Sequence, residues 1–135
     1  MSRRSDQRRD AVFAVYQQDL TSRELHEVLD ARATPFTRSL AHATVDRCDE
    51  LDAIISKYSV GWTIERIAPL ERAILRVALL EMLHPDAAIS DTPITPEGAI
   101  DEAVEIAKVY AGGKAPSFVN GILSAALRDQ RKAKQ

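Results

Sequence analysis

Apolar residues recur along this chain at intervals of three and four, and proline, glycine and hydroxyl residues punctuate the runs. That spacing is the signature of amphipathic helices. Val12, Val15, Tyr16 and Leu20 form a first stripe, with Ser5 placed to cap it. Thr21 and Glu24 have capping-box spacing ahead of Leu25, Val28 and Leu29. Thr34-Pro35 then opens a long third helix whose Phe36, Leu40, Ala43, Leu51, Ile54, Ile55 and Tyr58 keep the period to near Ser59. Gly61-Trp62 starts a short segment carrying Ile64 and Ile67. Pro69 introduces the most apolar run, LERAILRVALLEML, which Pro85 stops. Its Leu70, Ala73, Ile74, Val77, Ala78, Leu80 and Leu83 cover more than one face, so this helix is expected at the centre. Residues 85–95 read as a long loop. Thr95-Pro96 repeats the cap-and-proline start for a helix with Ile100, Ala103, Ala107 and Tyr110 on its stripe, ended by Gly112-Gly113. Ser117 opens the last helix, which runs through Leu127 into a basic tail.

No stretch alternates with period two, so the expected fold class is all-α, a single compact domain of about seven helices. One dipeptide conflicts with this. Asn120-Gly121 is a strong hairpin signal, yet Phe118, Val119, Ile122 and Leu123 around it repeat at helical spacing. A glycine there costs about 1 kcal/mol relative to alanine. The expectation is that Gly121 permits a close helix crossing, with Asn120 bonding free backbone groups in the first turn.

Composition narrows the function classes. The 135 residues are 45% hydrophobic and 28% charged, as in a soluble globular protein. No apolar run reaches membrane-spanning length, and MSRRSDQRR has no apolar core behind its arginines, so no membrane partner and a cytoplasmic location are expected. The net charge of −2 hides an asymmetry: residues 1–9 and 128–135 each carry +3, leaving −8 on the body. Basic ends around an acidic body are either an anion-binding surface or simply solvated termini.

Catalytic and metal chemistry find little support. Glu81-x-x-His84 has the spacing of a di-iron ligand pair, but no second pair exists, and His26 and His42 are isolated. No metal or cofactor is expected. GGKAPS around Lys114 lacks the remaining Walker positions, and Gly112-Gly113 reads better as a helix stop. Asp49, Glu50, Asp52, Asp101, Glu102 and Glu105 read as solvated faces, and Cys48 as a small buried thiol. Nothing marks an enzyme. Binding remains: Arg3, Arg4, Arg8 and Arg9 form two arginine pairs if residues 3–9 become helical, suited to the phosphates of a single strand. Tyr16, Tyr58 and Phe118 serve either as stacking surfaces or as core.

Three stretches, RRDAVFAVYQ, WTIERIAPLERAILRVALLEM and AIDEAVEIAKVYAGGKAPSFVNGIL, resemble the NusB family of bacterial transcription antitermination factors over nearly the whole length. The resemblance implies an all-helical domain of two packed helical subdomains with no catalytic site. It implies a basic RNA-binding arm at 1–9, a helical domain at 5–128 and a basic tail at 129–135. Implied partners are single-stranded boxA RNA of nascent ribosomal transcripts, the ribosomal small-subunit protein NusE and the RNA polymerase antitermination complex, with a homodimer also compatible. Arg3, Arg4, Arg8 and Arg9 correspond to the family's RNA element. Tyr16, Tyr58, Arg76, Lys114, Ser117 and Phe118 correspond to its RNA track, and Glu71 to its NusE face. The arm is interrupted by Ser5, Asp6 and Gln7, a deficit that Lys114 is positioned to offset. The same fold also fronts longer RNA methyltransferases, and a purely structural helical adaptor is a further alternative.

Overall fold

The computed structural model describes residues 3–134 and is helical throughout, without strands among those residues. Seven α-helices follow in order: α1 (Arg4–Thr21), α2 (Leu25–Val28), α3 (Pro35–Asp46), α4 (Cys48–Tyr58), α5 (Pro69–Leu83), α6 (Pro96–Ile106) and α7 (Ala115–Ala133). The apolar run after Pro69 becomes the hub. α5 packs against α1, α3, α4, α6 and α7, and Ala73, Ile74, Leu75, Val77, Ala78, Leu79, Leu80 and Met82 are all buried. A helix apolar around its circumference is stable only when other helices surround it. The core of all seven helices is one contiguous apolar cluster.

Direction matters for the site. Arg72, near the start of α5, meets Asp19 near the end of α1, whereas Glu81, near the end of α5, meets Arg8 near the start of α1. The two helices are therefore antiparallel. Ser5 and Arg8 both reach Glu102 of α6, and Phe13 touches Tyr110 beyond α6. α6 therefore runs beside α1 in the same direction.

Local chemistry matches the expected starts at two places. Thr34 accepts the Thr37 N–H and Thr95 accepts the Gly98 N–H, each followed by proline at the first helical position. A Cβ at Gly98 would stand 2.9 Å from Ile94 Cγ1, so a larger residue there must displace the Ile94 side chain. Other expected boundaries move. Ser5 does not cap α1; Arg3 occupies that position with no side-chain bond, and Ser5 Oγ donates to Glu102 at 2.7 Å instead. The Thr21–Glu24 capping box does not form: Thr21 donates back to the Gln17 carbonyl, and α2 is a single short turn after Glu24. Leu20 is 53% exposed rather than part of the core stripe.

The long third helix is two helices, broken at Arg47 (φ −106°, ψ 18°). Buried Thr44 donates to the Leu40 carbonyl at 2.7 Å, a back-bond of the kind that bends helices. Residues 85–95 contain only one short 3₁₀ turn, Pro85–Ala87. After α6 the chain continues as a single π turn, Ala107–Ala111, closed by the Gly112 N–H to the Ala107 carbonyl at 2.8 Å. Gly112, with φ 68°, then turns the backbone left-handed as the helix stop requires.

α7 begins at Ala115, two residues before the expected Ser117, with Lys114 at the cap position. Asn120 and Gly121 therefore sit beyond the first turn, on the exposed outer face. Asn120 accepts from Ser124, and a Cβ on Gly121 would meet nothing within 4 Å. The expected close crossing at Gly121 is overturned. The helix persists because Val119, Ile122, Leu123, Ala126 and Leu127 bury the opposite face, and that burial outweighs the turn preference.

Candidate RNA and partner surface

The four arginines at the start of the chain separate as soon as α1 winds. Residues 1 and 2 and residue 135, parts of the expected arm and tail, lie outside the described residues. Arg3 and Arg4 are exposed, and the Arg4 guanidinium lies 4.3 Å from the Phe36 ring centroid while donating to Gln7. Arg8 points inward. It is 6% exposed, donates from Nε and Nη2 to the two oxygens of Glu81 at 2.5 and 2.9 Å, and sits 3.7 Å from Glu102. Arg9 turns the other way, to Asp10 and Asp6. Consecutive helical residues point about 100° apart, so the expected Arg8–Arg9 pair does not form. Arg8 is committed to the fold rather than available to phosphate.

Arg76 is likewise internal. At 7% exposure it is held by both oxygens of Asp52 at 2.7 and 2.8 Å and by Asp19 at 3.2 Å, joining α1, α4 and α5. Tyr58 Oη donates to Asp129 at 2.6 Å, bridging α4 to the late turns of α7, and this bond pushes the phenol pKa up. The basic tail is thus helical through Ala133. Tyr16 is half-buried against the core.

The remaining expected residues do converge. Glu71 in the first turn of α5 and Lys114, Ser117 and Phe118 at the start of α7 border one open groove of about 820 Å³, together with Trp62, Arg66, Ile67 and Gly112. Lys114 and Ser117 are exposed, Phe118 is half-buried, and Trp62 is 53% exposed. Pro69 and Pro116 each stand in the first turn of the helices that deliver these side chains, so both backbones are pre-set for their starts. Burial alone pushes the Glu71 carboxyl above its ordinary pKa. An apolar floor of Trp62, Ile67 and Phe118 with Arg66, Lys114 and Glu71 at its rim suits a polar macromolecular partner.

Sequence reasoning left Trp62 open between surface and core, and missed Arg66 and the Phe13–Tyr110 pair, whose ring centroids are 5.0 Å apart. Trp62 had a signal, since it follows Gly61 between helices; Tyr110 had none, because its spacing places it on the core stripe, whereas it is 44% exposed. Glu81 and His84 diverge: Glu81 is occupied by Arg8, and His84 Nε2 pairs with Glu50 at 2.9 Å. Among the described residues no His, Cys, Asp and Glu cluster has metal-site geometry. Cys48 is half-buried against Asp52, and burial pushes its thiol pKa up.

Comparison with known proteins fits this geometry. The NusB family model matches residues 4–128. The transcription antitermination protein NusB of Bacillus subtilis (strain 168) is 35% identical over 127 residues, covering 90% of this chain and 92% of that protein. T. maritima NusB superposes with a TM-score of 0.82 at 27% identity, covering 99% of both chains. A crystal structure of antitermination factors NusB and NusE in complex with dsRNA contains a chain matching at TM-score 0.78 and 27% identity, over 93% of this chain and 96% of that one. Matched by the family model over residues 4–128 and by a relative at 35% identity over nearly the full length of both, this chain belongs to the NusB family.

Proposed function

We propose that this protein is a non-catalytic RNA-binding transcription antitermination factor. With NusE it binds the boxA element of nascent ribosomal RNA, in the cytoplasm, and helps RNA polymerase resist premature termination. The observation that carries the reading is the open groove where Glu71, Trp62, Lys114 and Phe118 meet, in a chain similar over nearly its full length to one solved with NusE and dsRNA.

The roles divide by accessibility. Arg3, Arg4 and Lys114 are exposed cations for phosphates, and Phe118 and Ser117 offer a ring and a hydroxyl to unpaired bases. Glu71 and Trp62 face the protein partner, an acidic group and an aromatic anchor for a basic ribosomal protein. Arg8, Arg76 and Tyr58, implied by the family resemblance as RNA contacts, support this surface by fastening α1, α4 and α7 around α5.

The test is fluorescence anisotropy of a labelled boxA strand against a shuffled strand of equal length, with and without NusE, at several salt concentrations. Binding should be selective, should tighten with NusE and should weaken with salt. Lys114→Ala should reduce the slope of log K against log salt by about 0.7, the loss of one phosphate contact on a single strand. Equal, weak binding to both strands under every condition would leave a helical adaptor.

A further inference from the structure

Tyr110 stands outside every role assigned so far. It lies in the π turn Ala107–Ala111, where one extra residue in the turn leaves Lys108, Val109, Tyr110 and Ala111 exposed. The Gly112 N–H closes this turn onto the Ala107 carbonyl at 2.8 Å, a six-residue closure of the kind that ends helices. Val109 is 61% exposed and Tyr110 44% exposed, so this helix end sets both side chains outside the core. The Tyr110 ring is nevertheless held in place. It meets the Phe13 ring at 5.0 Å and 86°, edge against face.

Position gives the ring its meaning. α6 and its π turn run alongside α1, so Tyr110 lies beside Phe13, about 14 Å along the helix from Arg4. Two residues further on, Gly112 borders the groove of Lys114 and Phe118. A strand joining the exposed arginines to that groove passes over Tyr110. The neighbouring Arg9 is already engaged, since it bonds Asp10 at 3.1 Å and reaches Asp6 at 3.5 Å. The ring rather than that guanidinium is what this spot offers a strand.

We propose that Tyr110, braced by Phe13, is a stacking platform for one unpaired RNA base midway between Arg3–Arg4 and the Lys114–Phe118 groove. This rests on the RNA reading above. The base lies on the exposed ring face while phosphates are held on either side.

The experiment compares Tyr110→Phe and Tyr110→Leu in anisotropy titrations with the boxA strand and NusE, using strands in which single positions are made abasic. Tyr110→Phe should bind as the natural protein does. Tyr110→Leu should bind about tenfold more weakly with an unchanged salt slope, and one abasic position should cost it nothing further while costing the natural protein the same tenfold. Equal affinity of the leucine variant, a changed salt slope or weakened NusE binding without RNA would overturn the platform while leaving RNA recognition standing. Absence of selective RNA binding by the natural protein would overturn both. Should Tyr110→Leu fail to fold, fluorine NMR of the natural protein labelled with 3-fluorotyrosine decides. There are three tyrosines, and Tyr110→Phe identifies the resonance. RNA should shift that resonance, and the abasic strand should not; an unmoved resonance overturns the proposal.

Discussion

The two ends of α5 use charge in opposite ways. At its C-terminal end Glu81 and Arg8 are both nearly inaccessible and face each other through two hydrogen bonds, with Phe36 against the guanidinium at 5.2 Å. At its N-terminal end burial pushes the Glu71 carboxyl above its ordinary pKa, and Arg66, Lys114 and Trp62 stand open around it. A buried charge must be paired or it unfolds the protein, whereas an unpaired charge at a groove rim remains available to a partner. Residue type does not separate these roles. Arg8 and Arg4 lie one turn apart on one helix, yet one is an internal fastener and the other a surface cation.

The strongest way to break the contrast is Glu81→Ala. Arg8 would keep only Glu102 at 3.7 Å, and stability should fall by about 3 kcal/mol in a denaturant titration. A loss under about 1 kcal/mol would mean that the closed end is solvated after all. Arg76→Ala comes next. Its carboxylate partners Asp19 and Asp52 are each 23% exposed, so the loss should be smaller, about 2 kcal/mol. RNA affinity measured where the variant remains folded should keep the same slope of log K against log salt. A slope reduced by about 0.7 would make Arg76 a direct phosphate contact.

Gly121→Ala tests the open outer face of α7. With space for a Cβ and a helical backbone, alanine should stabilise by about 0.5 to 1 kcal/mol. Destabilisation would show that something occupies that space. Glu71→Gln gives the smallest effect and sharpens the comparison most. Burial makes the folded Glu71 carboxyl hold its proton to higher pH than the unfolded one. The folded state therefore binds more protons between the two pKa values, and this residue's contribution falls as pH rises from about 4 through the folded pKa. Glutamine should stabilise the free protein by less than about 0.5 kcal/mol at pH 7, and the gain should vanish below pH 4. Destabilisation by glutamine at pH 7 that disappears on acidification would mean that Glu71 has a hidden cationic partner.

Legibility in the sequence followed the range of the interaction. Thr34-Pro35, Thr95-Pro96 and Gly112 set their boundaries through bonds within a few residues, and the structure keeps all three. The break at Arg47 was invisible because Leu51 lies two helical turns beyond Thr44, so the apolar period continues across it. Asn120-Gly121 misled for a related reason, since a local turn preference was weighed as though it had to be accommodated by packing. The groove was legible in part. The resemblance marked Glu71, Lys114, Ser117 and Phe118, while Trp62 read equally as core or surface.

The sequence by itself determined that this chain is all-helical, that the run after Pro69 is its centre, and which family it resembles. Each of these depends on periodicity, on proline and cap positions or on contiguous motifs, all written along the chain. Only the tertiary structure decided which charges are spent inside and which remain outside. Arg8 and Arg9 are neighbours in sequence, but Glu81, 73 positions from Arg8, makes one a part of the core. The pairing of charges is a long-range event, fixed by which helix faces which, and a linear pattern of arginines carries no record of it.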